Sequence, residues 1–116
     1  LIKENHIAVC GNIDKAVTQA KINHPNMKIE VEVENQTELE QALAAQADII
    51  MLDNFSFTDL QQAVRQVKQR KKLEASGNVN LRNIEDIAQT GVDYISVGRI
   101  THSAPCLDLS LDIEFV

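Results

Sequence analysis

Short extended runs alternate with stretches of helical apolar spacing along the whole 116-residue chain, and few architectures accept that order. The extended runs read LIKENHI, MKIEVEVE, ADIIMLDN, KKLEASG and DYISVGRI. Between them, Ile13, Ala16, Val17 and Ala20 form a first helical stripe, with Asn12 placed to cap it. Leu39, Ala42, Leu43 and Gln46 form a second, with Thr37 and Glu40 in the order of a capping box. Phe57, Leu60, Val64 and Val67 follow Ser56 as a third. Leu81, Ile84, Ile87 and Ala88 make a fourth, which Asn80 can start and Gly91 can end. Strands alternating with helices of about ten residues are joined by right-handed crossovers into a parallel sheet. One α/β unit with five strands is therefore expected, ending in LDLSLDIEFV as a last strand or a docking tail.

The run KIEVEVEN sharpens the expectation. Successive side chains of a strand point to opposite faces, so Val31 and Val33 share one face and Glu30, Glu32 and Glu34 the other. Helices cover the faces of parallel sheets, and the valines are the natural partners of a helix layer. A doubly wound sheet would have to bury the glutamate row under a second helix layer. A closed βα barrel turns that row into its interior, where carboxylates are costly unless they are paired or used. The fold class predicted is α/β, a parallel βα-barrel segment of the TIM type. A full barrel needs eight units and roughly 250 residues, so five strands make about half of an incomplete barrel.

Net charge is −6, which disfavours a nucleic-acid surface. The one basic cluster, Lys68, Arg70, Lys71 and Lys72, is expected to close a helix, where cations complement the dipole. There is no run of about 18 apolar residues and no signal-peptide layout, so no membrane span is expected and the location expected is cytoplasmic. Cys10 and Cys106 lie outside any metal or redox spacing and read as reduced packing residues. The chain starts with Leu rather than Met and is expected to enter within a strand, as a fragment of something longer would.

In parallel βα folds the chemistry gathers at the C-terminal ends of the strands. Those ends offer Lys3, Glu4, Asn5 and His6; Glu32 and Glu34; Asp53 and Asn54; Glu74, Ser76, Gly77 and Asn78; then Gly98, Arg99, Thr101 and His102. Glu32 and Asp53, on adjacent strands, can hold a hard cation such as Mg2+ or accept hydrogen bonds from sugar hydroxyls. Taken singly, such an Asp caps the next helix and such a Glu pairs with a lysine such as Lys3. The turns SGN and VGR let backbone N–H groups approach an anion, and phosphate sites of βα barrels commonly use the last two such loops. His6 and His102 can act as acids, bases or anion contacts, or be structural, since neither has a recognisable relay partner. There is no GxSxG elbow and no zinc spacing.

At these strand ends the chain resembles quinolinate phosphoribosyltransferase. The segments that carry the resemblance are LIKENHI, KIEVEVEN, ADIIMLDNF, LEASGNV and GVDYISVGRITHSAPCLDLSLDI. The resemblance implies Mg2+-dependent transfer of ribosyl 5-phosphate from phosphoribosyl pyrophosphate to quinolinate. Loss of CO2 then gives nicotinate mononucleotide for NAD synthesis. It also implies that Lys3 contacts anionic substrates and that Glu32 and Asp53 hold the ribose hydroxyls and the metal environment. Ser76, Gly77, Asn78 and Gly98 would surround the 5-phosphate, with His102 nearby. Breaking the bond to pyrophosphate builds positive charge on the ribose, which carboxylates stabilise. Arg99 stands where the family commonly has a small or apolar residue; it either adds a phosphate contact or points to solvent, and the contact is the expectation. Glu4 replaces a frequent Asp. Residues 1–116 would be the C-terminal part of the barrel domain of a homodimer or higher homo-oligomer. An N-terminal α/β domain and the first barrel strands, with the arginines for quinolinate, would lie outside. The alternatives are a paralogue acting on another heterocycle and, for the isolated fragment, a non-catalytic phosphate-binding half-barrel.

Overall fold

A computed structural model describes residues 1–102 and 106–115. Helix α1 spans Glu4–Cys10 and α2 Ile13–Asn23; β1 covers Glu30–Val33, α3 Gln36–Ala44, β2 Ile49–Asp53 and α4 Phe57–Val67. Then come β3 at Lys72–Ser76, α5 at Ile84–Gln89, β4 at Tyr94–Ile95 and a 3-10 turn at Gly98–Ile100. The four strands form one parallel sheet in chain order. It is open, as a barrel segment is.

The first extended run is not a strand of this sheet. Only Ile2 reaches it, donating its N–H to Glu30 C=O at 2.8 Å and accepting from Glu32 N–H at 2.9 Å. From Glu4 the chain is helical, so Asn5 and His6 belong to α1 and not to a strand end. His6 there has a local task, its Nδ1 accepting from the Lys3 N–H at 3.1 Å.

The alternation in KIEVEVEN sorts as its periodicity predicts. Val31 and Val33 are fully buried, as are Ile50 and Leu52 beside them in register. They pack in one core with Ile13 and Val17 of α2, Leu39 and Ala42 of α3, and Leu60, Ala63 and Val67 of α4. Fully burying a Val or Leu side chain is worth about 1.5–3 kcal/mol, so this layer dominates the fold. The opposite face carries the glutamates, in register with Met51 and Glu74.

The helix boundaries show what tertiary context changed. Asn35, not Thr37, caps α3: its side chain accepts from Glu38 N–H at 3.0 Å, while Glu38 accepts from Glu34 N–H at 2.9 Å. Two overlapping frames, Asn35 with Glu38 and Thr37 with Glu40, compete. Because β1 ends at Val33, the earlier one is used. Asn12 and Ser56 cap α2 and α4 as expected. Leu81 is not part of the fourth helix. It sits in a turn, almost fully exposed, and α5 begins only at Ile84.

The basic cluster is divided among three tasks. Arg70 donates to the Val67 and Gln66 carbonyls at the end of α4, Lys71 to Ala47 C=O, and Lys72 in β3 pairs with Asp93. Cys10 is half-buried, but Cys106 is exposed and is not a packing residue. The tail forms no strand over its described part, residues 106–115, and residue 116 lies outside the described residues. Among the described residues no helix is long and apolar enough to cross a membrane.

Candidate active site

Two groups of polar residues occupy the carboxyl rim of the sheet. The first is acidic. Parallel register sets Glu32 opposite Met51, so Asp53, two residues on, returns to the glutamate face. Glu32, Glu34 and Asp53 each bring a carboxylate oxygen within 4.8 Å of the others. Glu32 is nearly buried, and Lys3 Nζ lies 3.0 Å from its Oε2. That hydrogen bond, with the attraction of the Glu32 charge, raises the Lys3 pKa above the usual lysine value. Lys3 therefore stays cationic in the half-exposed mouth of the group. Asp53 does not cap the helix that follows it, because Ser56 does. Its Oδ2 instead accepts from the Asn54 side chain at 2.7 Å.

The second group surrounds a cavity of about 520 Å3 lined by Ser76, Gly77, Asn78, Val79, Asn80, Ser96, Gly98, Arg99 and His102. The turn after β3 is tight. Gly77 has φ +89° and Asn78 φ +53°, a left-handed pair that glycine and asparagine adopt most readily. Asn78 C=O accepts from the side chains of Asn80 and Asn83 at 3.0 and 3.1 Å. These amide contacts hold the loop that leads into α5. Gly98 opens the turn after β4, and an added Cβ there would meet His102 Nε2 at 2.5 Å. His102 N–H in turn donates to Gly98 C=O at 3.0 Å.

On the same face, Ser96 donates to Glu74 Oε1. Glu30 Oε1 is cut off from water and has no hydrogen-bond partner among the described residues. Burial first, and the negative charge of Glu74 second, push the Glu30 carboxyl above the usual glutamate range.

The residues expected to bind or catalyse are drawn to one rim, Lys3, Glu32 and Asp53 in the acidic group and Ser76, Gly77, Asn78, Gly98, Arg99 and His102 around the cavity, whereas Asn5 and His6 lie in α1. Arg99 also lines a second, more apolar cavity with Leu81 and Ile100, so it stands between the two. Sequence reasoning left Glu34 and Asn54 without a role. Glu34 had a signal, since it continues the period-2 row of Glu30 and Glu32. Asn54 had only its place at a strand end, because its distant partner Asn78 is brought to it by the turn after β3.

A family model described as quinolinate phosphoribosyl transferase, C-terminal domain, matches residues 1–112. A probable nicotinate-nucleotide pyrophosphorylase (carboxylating) of Synechocystis is 44% identical, the match covering 97% of this chain and 40% of that protein. The nicotinate-nucleotide pyrophosphorylase (carboxylating) of Dictyostelium discoideum is 42% identical over 98% of this chain and 39% of its own length. Among solved structures, the nicotinate-nucleotide pyrophosphorylase of Francisella tularensis is 56% identical, with a TM-score of 0.83 over 86% of this chain and 36% of that one. The chain therefore spans about two-fifths of the length of the curated relatives it matches.

Proposed function

This chain belongs to the quinolinate phosphoribosyltransferase family, and from that premise we propose that it carries the ribose-phosphate half of an active site making nicotinate mononucleotide. Ribosyl 5-phosphate passes from phosphoribosyl pyrophosphate to the quinolinate nitrogen. The bond from C1 to pyrophosphate breaks, a bond from C1 to nitrogen forms, one carboxyl leaves as CO2, and the ring carbon takes up a proton. The observation that carries this reading is the meeting of the acidic group and the glycine-turn cavity on one rim.

Positive charge develops on the ribose ring as pyrophosphate departs, and Glu32 and Asp53 supply the fixed negative charge that stabilises it. A preorganised carboxylate of this kind acts without reorganising at the moment of reaction. Lys3 holds Glu32 in place and offers a cation to the incoming anions. Ser76, Gly77, Asn78 and Gly98 receive the 5-phosphate, with Arg99 as its cationic contact and His102 beside it.

The three carboxylates of the rim are hard anionic oxygen donors at close spacing, a set that suits Mg2+. Glu32, Glu34 and Asp53 would hold that ion, which when bound neutralises pyrophosphate charge. The net charge of −6 is compatible with a polyanionic substrate that arrives with its metal.

Arg99, the arginine lining the cavity on this rim, is assigned to the phosphate, so the quinolinate carboxylates need other ligands. We place those ligands, the remaining barrel strands and a homo-oligomeric partner outside residues 1–116, in a cytoplasmic enzyme. The test is formation of nicotinate mononucleotide by the complete protein, wild type against Glu32→Ala and Asp53→Ala. A loss of at least about 10²-fold in turnover is expected from each. Turnover unchanged in both would remove them from the mechanism.

A further inference from the structure

Asn54 stands at the junction of the two groups and touches both. It follows β2 with φ +55°, in the left-handed region. Its backbone N–H donates to Ser76 C=O at 2.9 Å, across to the end of β3. Its side chain reaches in both directions, Nδ2 donating to Asp53 Oδ2 at 2.7 Å and Oδ1 accepting from Asn78 Nδ2 at 2.8 Å. Gly77 lies so close beneath that a Cβ there would overlap the Asn54 amide.

The direction of this chain of hydrogen bonds is set by chemistry. An ionised carboxylate only accepts, so the Asn54 NH2 must face Asp53. Its oxygen then points the other way and can be met only by a donor, the NH2 of Asn78. Reversing the Asn54 amide would set its oxygen against the carboxylate and its NH2 against another NH2. One ionised group thereby fixes two amide orientations and the turn that carries the second.

We propose that Asn54 is a positioning residue that sets the separation between Asp53, on the ribose side, and the Ser76–Asn78 turn, on the phosphate side. The inference rests on the functional reading above, in which one ribose 5-phosphate spans both groups. A substrate with fixed bond lengths between its ring and its phosphate gains from two contact sets held at one spacing. Displacement of reacting groups by about 1 Å can cost 10²-fold in rate.

The test uses the complete enzyme with Asn54→Gly, Asn78→Gly and the double variant. Glycine keeps the left-handed backbone without strain and removes only the side-chain contacts. Asn54→Gly is expected to melt cooperatively, to lose about 10- to 100-fold in kcat/KM for phosphoribosyl pyrophosphate, and to keep the quinolinate KM within about 2-fold. The double variant is expected to lose no more than the worse single variant, since both break one chain of contacts. A change of less than about 2-fold in Asn54→Gly, or losses that multiply in the double variant, would overturn the proposal. Inorganic phosphate binding, read by calorimetry on the same proteins, separates this failure from that of the functional reading. A wild type that makes no nicotinate mononucleotide sinks the substrate assignment, yet phosphate binding at least about 5-fold weaker in Asn54→Gly still supports the positioning role. Phosphate binding indifferent to Asn54, or absent from the wild type, ends it.

Discussion

A Cβ added to Gly77 would stand 2.3 Å from Asn54 Oδ1 and 2.8 Å from the Asn54 backbone nitrogen. The side chain could swing away, but the backbone cannot, because its N–H is committed to Ser76 C=O. Gly77→Ala adds the cost of a side chain at φ +89° to that collision. A loss of about 2 kcal/mol or more in urea unfolding is expected, with weaker phosphate binding. Unfolding within a few tenths of a kcal/mol of wild type would contradict this packing.

Gly98 makes the opposite forecast. The atoms nearest its missing Cβ are those of the His102 ring, the far end of a side chain that can rotate. Gly98→Ala should therefore leave the unfolding free energy within about 0.5 kcal/mol, a surface-like effect, while moving the imidazole out of its place beside the cavity. Calorimetric titration with inorganic phosphate should show the loss, and the melting curve should not.

Lys3→Met leaves the nearly buried Glu32 carboxylate without its cation. Turnover should fall by about 10²-fold or more through the loss of a positioned charge. Stability has a signature in alkali. The Lys3 pKa is raised in the folded state by its hydrogen bond to Glu32, so its contribution is whole below the unfolded value of about 10.4 and disappears as pH rises through the folded one. Urea midpoints of wild type and variant should converge there, and parallel curves would refute the pairing.

Glu30 works with the same sign in a different range. Its raised pKa, from burial first and Glu74 second, means that the folded protein holds a proton the unfolded chain gives up. Stability is greatest below the ordinary glutamate value of about 4.3 and declines as pH climbs through the raised one. Glu30→Gln removes the carboxyl and should be more stable than wild type at neutral pH, by up to about 1 kcal/mol after solvent screening. A variant less stable than wild type at neutral pH would show that the charge is compensated.

Where reading from sequence went astray, the residues were short of context. In LIKENHI the apolar positions fit a strand or a helix equally, and the choice fell to the backbone: Ile2 pairs with β1, then Glu4–Cys10 closes into a helix that packs on α2. Leu81 fits the helical spacing of Ile84 and Ile87, but Asn80 and Asn83 spend their side chains on a turn, which delays the helix. Thr37 and Asn35 both offer a cap, and only the end of β1 decides between them.

Local periodicity by itself determined the order of elements from α2 to β4, though not the start of the chain, together with the helix-facing valines and the glutamate row behind them, because the periods 2 and 3.6 are properties of the backbone. Strand order also made it legible that Lys3, Glu32, Asp53 and the two glycine turns approach one rim. Tertiary structure alone decided the contacts between them. Asn54 meets Asn78 across 24 residues, and Glu34 joins Glu32 and Asp53. Such pairs depend on the register between neighbouring strands, which the packing of α3 and α4 against the sheet sets and which no single segment encodes.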